Sequence, residues 1–522
     1  MTDAAAPAPA SSQAFGLIAD LVRLHARQRP DAPALRDDHE TLSWRQLDSL
    51  MDRIAARLQQ DGLQVGDALA VCAASSVHYA ALFLGALRAG VAVAPLAPSS
   101  TPQSLARMVQ DAGARLLFLD GSTRPLLDRV APDIARIALD GAAPAGERAL
   151  ADWLAPEGST PAPAAIVPAT PFNIIYSSGT TGEPKGIVQG HGMRWAHVQR
   201  GARYGYGPDS VTLSSTPLYS NTTLVVFFPT IAYGGCVVLM PKFDAARYLQ
   251  LAQDLRVTHT MLVPVQYQRL MARPDFDRFD LSAFQAKFCT SAPFSAALKA
   301  DVLARWPGGL VEFYGMTEGG GTCILEAHAH PDKLHTVGRP AEGSDIRLID
   351  EAGHEAAPGE AGEVVGHSAG MMVGYHGQPE KTREAEWFDA RGKRFIRTGD
   401  IGRFDADGFL TLFDRRKDMI ISGGFNIYPS DLETVLREHP AVLDASAIGM
   451  PSAEWGETPA AFVVLRPGAA SPGADALRAW ANARLGKTQR ITQLAFIDEL
   501  PRSAIGKVLK RELRERLSSS AR

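Results

Sequence analysis

The sequence predicts an α/β protein: a large N-terminal domain of two α/β subdomains plus a small β-rich subdomain, followed by a small α+β C-terminal domain. Three observations predict it. Short apolar runs alternate with helical stretches through the first 340 residues, the pattern of a parallel sheet covered by helices. From Ser344 to Phe413 the pattern changes to short alternating strands divided by Gly, Pro and Asp turns. A chain of 522 residues, 46% of them hydrophobic, also exceeds one domain of the usual ~100–200 residues.

Residues 1–16, rich in Ala, Pro and Ser without an early basic residue, read as a disordered tail and not as a signal peptide. Leu47, Met51, Ile54 and Leu58 recur at helical spacing, Ser43 and Gln46 form a capping box before them, and Gly62 ends the helix. Ala68 to Ala73, Val91 to Ala94 and Arg115 to Leu119 are the strands of the first unit. The apolar run Tyr79 to Pro98 is broken by Arg88 and Gly90, which suits a buried helix followed by a strand and not a membrane span. Residues 140–170, dense in Ala, Pro and Gly, are a surface connection. Phe172 to Tyr176, Val211 to Ser215, Cys236 to Met240, His259 to Val263 and Ala286 to Thr290 are strands of the second unit. Asp345 to Ile349, Gly362 to Gly366 and Gly408 to Phe413 make the β-rich segment. The final unit reads as a helix from Ser430, strands at Leu443 to Gly449 and Ala460 to Leu465, a helix from Ala474 and a terminal helix from Gly506. The expected boundary lies between 17–414 and 415–522.

Fifty-three basic against 57 acidic residues give a net charge of −4, without the basic footprint of a nucleic-acid binder, so small molecules are the expected partners. The cysteines at 72, 236, 289 and 323 lack metal spacing and read as reduced core thiols of a cytoplasmic protein.

Six stretches carry chemistry. Tyr176 to Gly186 reads Tyr-Ser-Ser-Gly-Thr-Thr-Gly-Glu-Pro-Lys-Gly. Its glycines let backbone N–H groups approach a ligand, the hydroxyls of Ser177, Ser178, Thr180 and Thr181 donate, and Lys185 adds a charge: an anion-binding loop. Pro184 before the lysine and Gly186 after it exclude a Walker loop. Tyr314-Gly315-Met316-Thr317-Glu318 puts a ring, a hydroxyl and a carboxylate on one short loop, suited to a base, a phosphate and Mg²⁺; a turn with a solvated glutamate accounts for it equally well. Thr398-Gly399-Asp400 offers a carboxylate to a ribose diol. Asp414 to Asp418 is a charged turn placed as a hinge, Gly423-Gly424 permits close approach to an extended ligand, and Pro501 to Lys507 holds a lysine on a loop, where such a residue ordinarily serves solubility.

Taken together and in order, these stretches resemble the ANL superfamily of adenylate-forming enzymes, in its acyl-CoA synthetase branch, over residues 17–516. The resemblance implies that Ser177, Ser178, Gly179, Thr180, Thr181, Gly182 and Lys185 handle the ATP β- and γ-phosphates. It implies that Tyr314 stacks near adenine opposite Thr290, Ser291 and Ala292, that Thr317 touches the α-phosphate, and that Glu318 holds Mg²⁺. Asp400 and Arg415 match ribose ligands, Lys417 the hinge of a mobile C-terminal domain, Gly423 and Gly424 the pantetheine tunnel wall, and Lys507 the lysine bridging the acyl carboxylate and α-phosphate. The implied cofactors are ATP, Mg²⁺ and coenzyme A. The implied reaction joins a carboxylic acid to CoA through an acyl-adenylate; a stand-alone adenylation enzyme loading a carrier protein and a catalytically degenerate nucleotide-binding homologue are the alternatives, and the reading admits a homodimer.

By analogy Tyr219, Asn221, Val263, Gln266, Tyr267, Gly315 and Gly320 line the acyl pocket, with no lysine or arginine for a second carboxylate; a medium-chain, alicyclic or aryl acid is expected. Ser220 stands where many relatives carry histidine or another aromatic that gates the acyl channel, and Ser503 replaces the commoner threonine. His191 matches a family position but reads as structural.

Overall fold

The computed structural model describes residues 14–127, 134–141, 143–177, 185–415, 418–422, 425–452, 455–486, 489–503 and 506–520, with the backbone alone at 177, 414, 415, 425, 426 and 518–520. Its architecture is mixed α/β. Packing divides the chain into two units, Met1–Asp345 with Gly366–Ile396 and Ile346–Val365 with Arg397–Arg522.

The larger unit is built on two sheets. An eight-stranded one runs in the order 374–375, 185–190, 171–177, 92–95, 68–72, 114–119, 135–138, 148–149. The strand Ala68–Cys72 shows the period of two at work. Leu69 and Val71 enter one core while Ala68, Ala70 and Cys72 enter another, so the sheet is buried on both faces. The first of these cores also takes Leu47, Met51, Ile54 and Leu58 of the helix Trp44–Gln60, with Leu35, Val237 and Leu239 of the second sheet. Helices therefore lie between the two sheets. The capping box opens that helix as the sequence reads: Ser43 Oγ accepts from Gln46 N at 3.3 Å and Gln46 Oε1 from Ser43 N at 2.8 Å.

The second sheet has nine strands, and six neighbours in it are mutually parallel: 309–316, 286–289, 259–262, 211–214, 236–239 and 33–36. Their carboxyl ends consequently share one edge, where ligands of open α/β sheets bind. Beyond the parallel run, Gly319–Glu326 folds back antiparallel on Gly309–Met316.

The strand Arg394–Phe404 carries the chain from one unit into the other. Its start pairs with Glu386–Phe388 in the first, its end with Leu410–Arg415 in the second. The smaller unit holds a further sheet in the order 425–427, 420–422, 456–465, 442–452, joined by 493–496 parallel to 456–465. Ala445, Ala447, Ala461 and Val463 face one side with the helices Pro429–Arg437 and Ala474–Asn482, whereas Ala460, Phe462 and Val464 meet Leu513 of the terminal helix Lys510–Ser520 on the other.

Two sequence readings are corrected. Tyr314 to Met316 is not loop but the end of the strand Gly309–Met316, because Tyr314 pairs with Cys323 and Met316 with Gly319 across a tight turn. The terminal helix begins at Lys510 and not at Gly506, since Ser503 N donates to Lys507 O and Arg502 bridges Val508, which uses those backbone groups in a small hairpin.

Candidate active site

Four of the parallel strands deliver candidate residues to their common edge. After Val211–Ser214 come Tyr219, Ser220 and Asn221; after His259–Leu262, Val263 and Gln266; after Ala286–Cys289, Thr290, Ser291 and Ala292; and Gly309–Met316 ends in Tyr314 to Met316, with Thr317 next in the turn. Side chains knit these segments together. Thr222 Oγ1 and Ser291 Oγ lie 2.6 Å apart, and Thr290 Oγ1 donates to Phe313 O at 2.8 Å. Ser291 adopts φ +82, a left-handed backbone rare outside glycine, which marks the segment as held by its surroundings.

Glu318 occupies the turn after Met316 and is only 9% exposed. Tyr375, on the short strand Gly374–Tyr375 beside Lys185–Gly190, donates its hydroxyl to Glu318 Oε1 at 2.9 Å. Burial, then the carboxylate itself, raises the Tyr375 pKa, so the phenol stays a donor throughout the neutral range. Lys185 Nζ stands 5.2 Å from the centre of the same ring. The turn depends on Gly319: its φ is +78, and a Cβ there would lie 1.9 Å from Gly370 O. One tyrosine thus joins the lysine of the anion loop to the glutamate of the second motif.

The structure assigns several pocket residues additional work. Ser220 caps the helix Asn221–Ala232, its Oγ accepting from Thr222 N at 3.3 Å. Gln266 is buried, accepts from Val263 N at 3.1 Å and reaches Ser215 Oγ at 3.3 Å. Gly315 is exposed, and Gly320 is buried with φ +81. Tyr267 is fully buried, donates its hydroxyl to Phe288 O at 2.9 Å and stacks on Phe294. His191 is structural in its setting, edge-on to Phe172, with burial lowering its pKa to about 4. Among the described residues, the buried Asn221 Oδ1 has no hydrogen-bond partner.

In the second unit Asp400 and Arg415 are register partners on antiparallel strands, and Asp400 N donates to Thr398 Oγ1 at 3.0 Å. Lys507 is exposed, its carbonyl O accepts from Ser503 N at 2.8 Å, and beside it Arg502 Nη1 donates to Gly506 O at 2.6 Å while Nη2 pairs with Asp444 at 2.5 Å. Ser178, Gly179, Thr180, Thr181, Gly182, Lys417, Gly423 and Gly424 lie outside the described residues, as do the side chains of Ser177 and Arg415. Sequence reasoning missed Tyr375, which belongs to no local motif, and the buried trio Asn173, Gln189 and Arg194. Polar residues at inward positions of apolar strands were the available signal for Asn173 and Gln189.

Residues 22–376 match the family model of the AMP-binding enzyme, and residues 431–507 that of the AMP-binding enzyme C-terminal domain. The chain belongs to the AMP-binding enzymes, within the adenylate-forming ANL superfamily. It is a ligase. A feruloyl-CoA synthase from Amycolatopsis sp is 34% identical over 497 residues, covering 94% of this chain and 97% of its own. A fatty acid–[acyl-carrier-protein] ligase, ScoC, from Streptomyces coeruleorubidus is 33% identical over 504 residues, covering 94% and 95%. Among solved structures, ATP-bound MatB from Rhodopseudomonas palustris superposes with a TM-score of 0.84 at 29% identity, over 96% of this chain and all of that one.

Among the described residues no three His, Cys, Asp or Glu side chains gather as a metal cage, and no helix is long and apolar enough to cross a membrane. A lone buried carboxylate at Glu318 suits Mg²⁺, which is commonly held by one or two carboxylates with waters and phosphate oxygens. The family's metal fits this donor set.

Proposed function

We propose that the protein is an AMP-forming acyl-CoA synthetase acting on a medium-chain, alicyclic or aryl carboxylic acid, with ATP, Mg²⁺ and CoA. The observation that carries the reading is the convergence of Tyr314 to Glu318, Ser291 and the Tyr219–Asn221 segment on one sheet edge, with Lys185 joined to Glu318 through Tyr375. The feruloyl-CoA synthase relative supports the thioester product, and a cytoplasmic location agrees with four buried free cysteines.

A carboxylate is a poor electrophile, so it must first gain a leaving group. Its oxygen attacks the ATP α-phosphorus, the bond to the β-phosphate oxygen breaks, and pyrophosphate departs. Lys185 and the hydroxyls of 177–181 receive the pyrophosphate charge; Thr317 and Lys507 stabilise the α-phosphate; Tyr314 and Ser291–Ala292 flank adenine; Asp400 and Arg415 take the ribose hydroxyls. Glu318 would hold Mg²⁺, which when bound would neutralise phosphate charge. The CoA thiolate then attacks the acyl carbon and AMP leaves, with Gly423 and Gly424 assigned to the wall along the pantetheine arm. Lys507 serves only the first step, so a hinge at Lys417 exchanges it for the thiol route.

The acyl-carrier-protein ligase favours a second reading, in which a phosphopantetheine arm replaces CoA. Pyrophosphate release across a panel of carboxylic acids, with CoA or a holo carrier protein as acceptor, separates the two. Acid-dependent release with a CoA thioester is expected; thioester formation on the carrier alone overturns the CoA assignment.

A further inference from the structure

Behind the Thr317–Glu318 turn lies a polar cluster that the reaction scheme leaves unused. Asn173 and Gln189 face each other in register on the two stems of the hairpin that carries the Ser/Thr/Gly-rich loop, and Arg194 follows on the first turn of the helix His191–Gly201. All three are fully buried. Arg194 Nε and Nη2 donate to Asn173 Oδ1 at 3.2 and 3.0 Å, and Nη2 also donates to Gln189 Oε1. Asn173 Nδ2 donates to that same Oε1 at 2.9 Å. The rings of Phe172 and Phe228 flank the guanidinium at 5.8 and 5.9 Å.

Among the described residues no carboxylate pairs with Arg194, an arrangement that is costly for a buried cation. Burial lowers its pKa to about 9, which leaves it charged at neutral pH. A leucine would fill this space without that cost, so the charge needs another explanation. The hydrogen bonds supply one. Two donors converging on Gln189 Oε1 decide which end of the carboxamide is oxygen, and the other end, Nε2, then meets Thr317 O at 2.6 Å.

We propose that Arg194 and Asn173 are positioning residues acting through Gln189: they fix its carboxamide so that Nε2 clamps the Thr317 carbonyl. The clamp ties the stem of the phosphate loop to the turn bearing Glu318 and sets the distance between two parts of the ATP site. The proposal rests on the adenylation reading above.

Gln189→Glu tests it. The substitution keeps the shape and gives Arg194 an ion-pair partner, so folding stability holds or rises, but it presents an acceptor to the Thr317 carbonyl. Calorimetric titration with ATP–Mg²⁺ is expected to show about tenfold weaker binding, with thermal stability undiminished and the KM for the carboxylic acid unchanged. Asn173→Asp, which removes the donor that orients Gln189 while pairing Arg194, should show the same signature. Wild-type nucleotide affinity in stable forms of both variants overturns the clamp and leaves a purely structural network. Wild-type protein that binds ATP–Mg²⁺ yet forms no AMP with any acid overturns the adenylation reading instead, and the affinity comparison still judges the clamp.

Discussion

Tyr375 is the residue on which two motifs depend, since its hydroxyl holds one oxygen of Glu318 and its ring stands against Lys185. Tyr375→Phe keeps the ring and removes the donor. Glu318 loses its orientation, and the half-saturating Mg²⁺ concentration for pyrophosphate release should rise roughly tenfold, as when metal-orienting partners are lost; a Mg²⁺ titration at saturating ATP reads it. Lys507 presents a cleaner separation of steps. Lys507→Ala should abolish adenylate formation from acid and ATP while leaving thioester formation from preformed acyl-AMP largely intact. Equal loss in both half-reactions, measured separately, removes Lys507 from its assigned role.

At the scale of elements, local chemistry explains both what forms and what breaks. Ser43→Ala deletes half of a capping box on a long helix whose buried face joins the two sheets, and should cost about 1 kcal/mol in a denaturant titration. Gly319→Ala strikes the turn after Glu318. With φ +78 and Gly370 O where the methyl would stand, the hairpin must shift, and a shift of about 1 Å at a reacting group costs roughly 100-fold in rate. Single-turnover adenylate formation should fall by that order while the protein stays folded, because the strand pairing from Val311 to Tyr314 is untouched.

For the whole molecule, buried histidines contribute to the response to acid. Burial lowers His191 and His259 to about 4 from an ordinary 6.5. Between those values the unfolded chain binds protons that the folded one does not, so their contribution is intact above pH 6.5 and is lost as pH falls toward 4. Each histidine should remove about 1.4 kcal/mol per pH unit inside that window. Unfolding free energies measured at pH 7, 6 and 5 check the slope, and His259→Phe should flatten it.

The sequence by itself determined what local rules govern. Short apolar runs placed strands at Ala68 to Ala73 and Arg115 to Leu119, and alternation placed one at Asp345 to Ile349, against observed strands of 68–72, 114–119 and 345–349; the Ser43–Gln46 pair opened its helix, and the ordered motifs identified the chemistry. Tertiary structure decided the rest. Tyr375 lies 57 residues from Glu318 and Thr317 lies 128 from Gln189, so neither contact leaves a mark in any local pattern. Tyr314 became strand because Cys323 on the returning strand pairs with it, and the Tyr267 hydroxyl found its buried partner in Phe288 O, 21 residues away. Backbone periodicity is written residue by residue, whereas the partner of a buried polar group is fixed only when distant segments meet and each donor must find an acceptor.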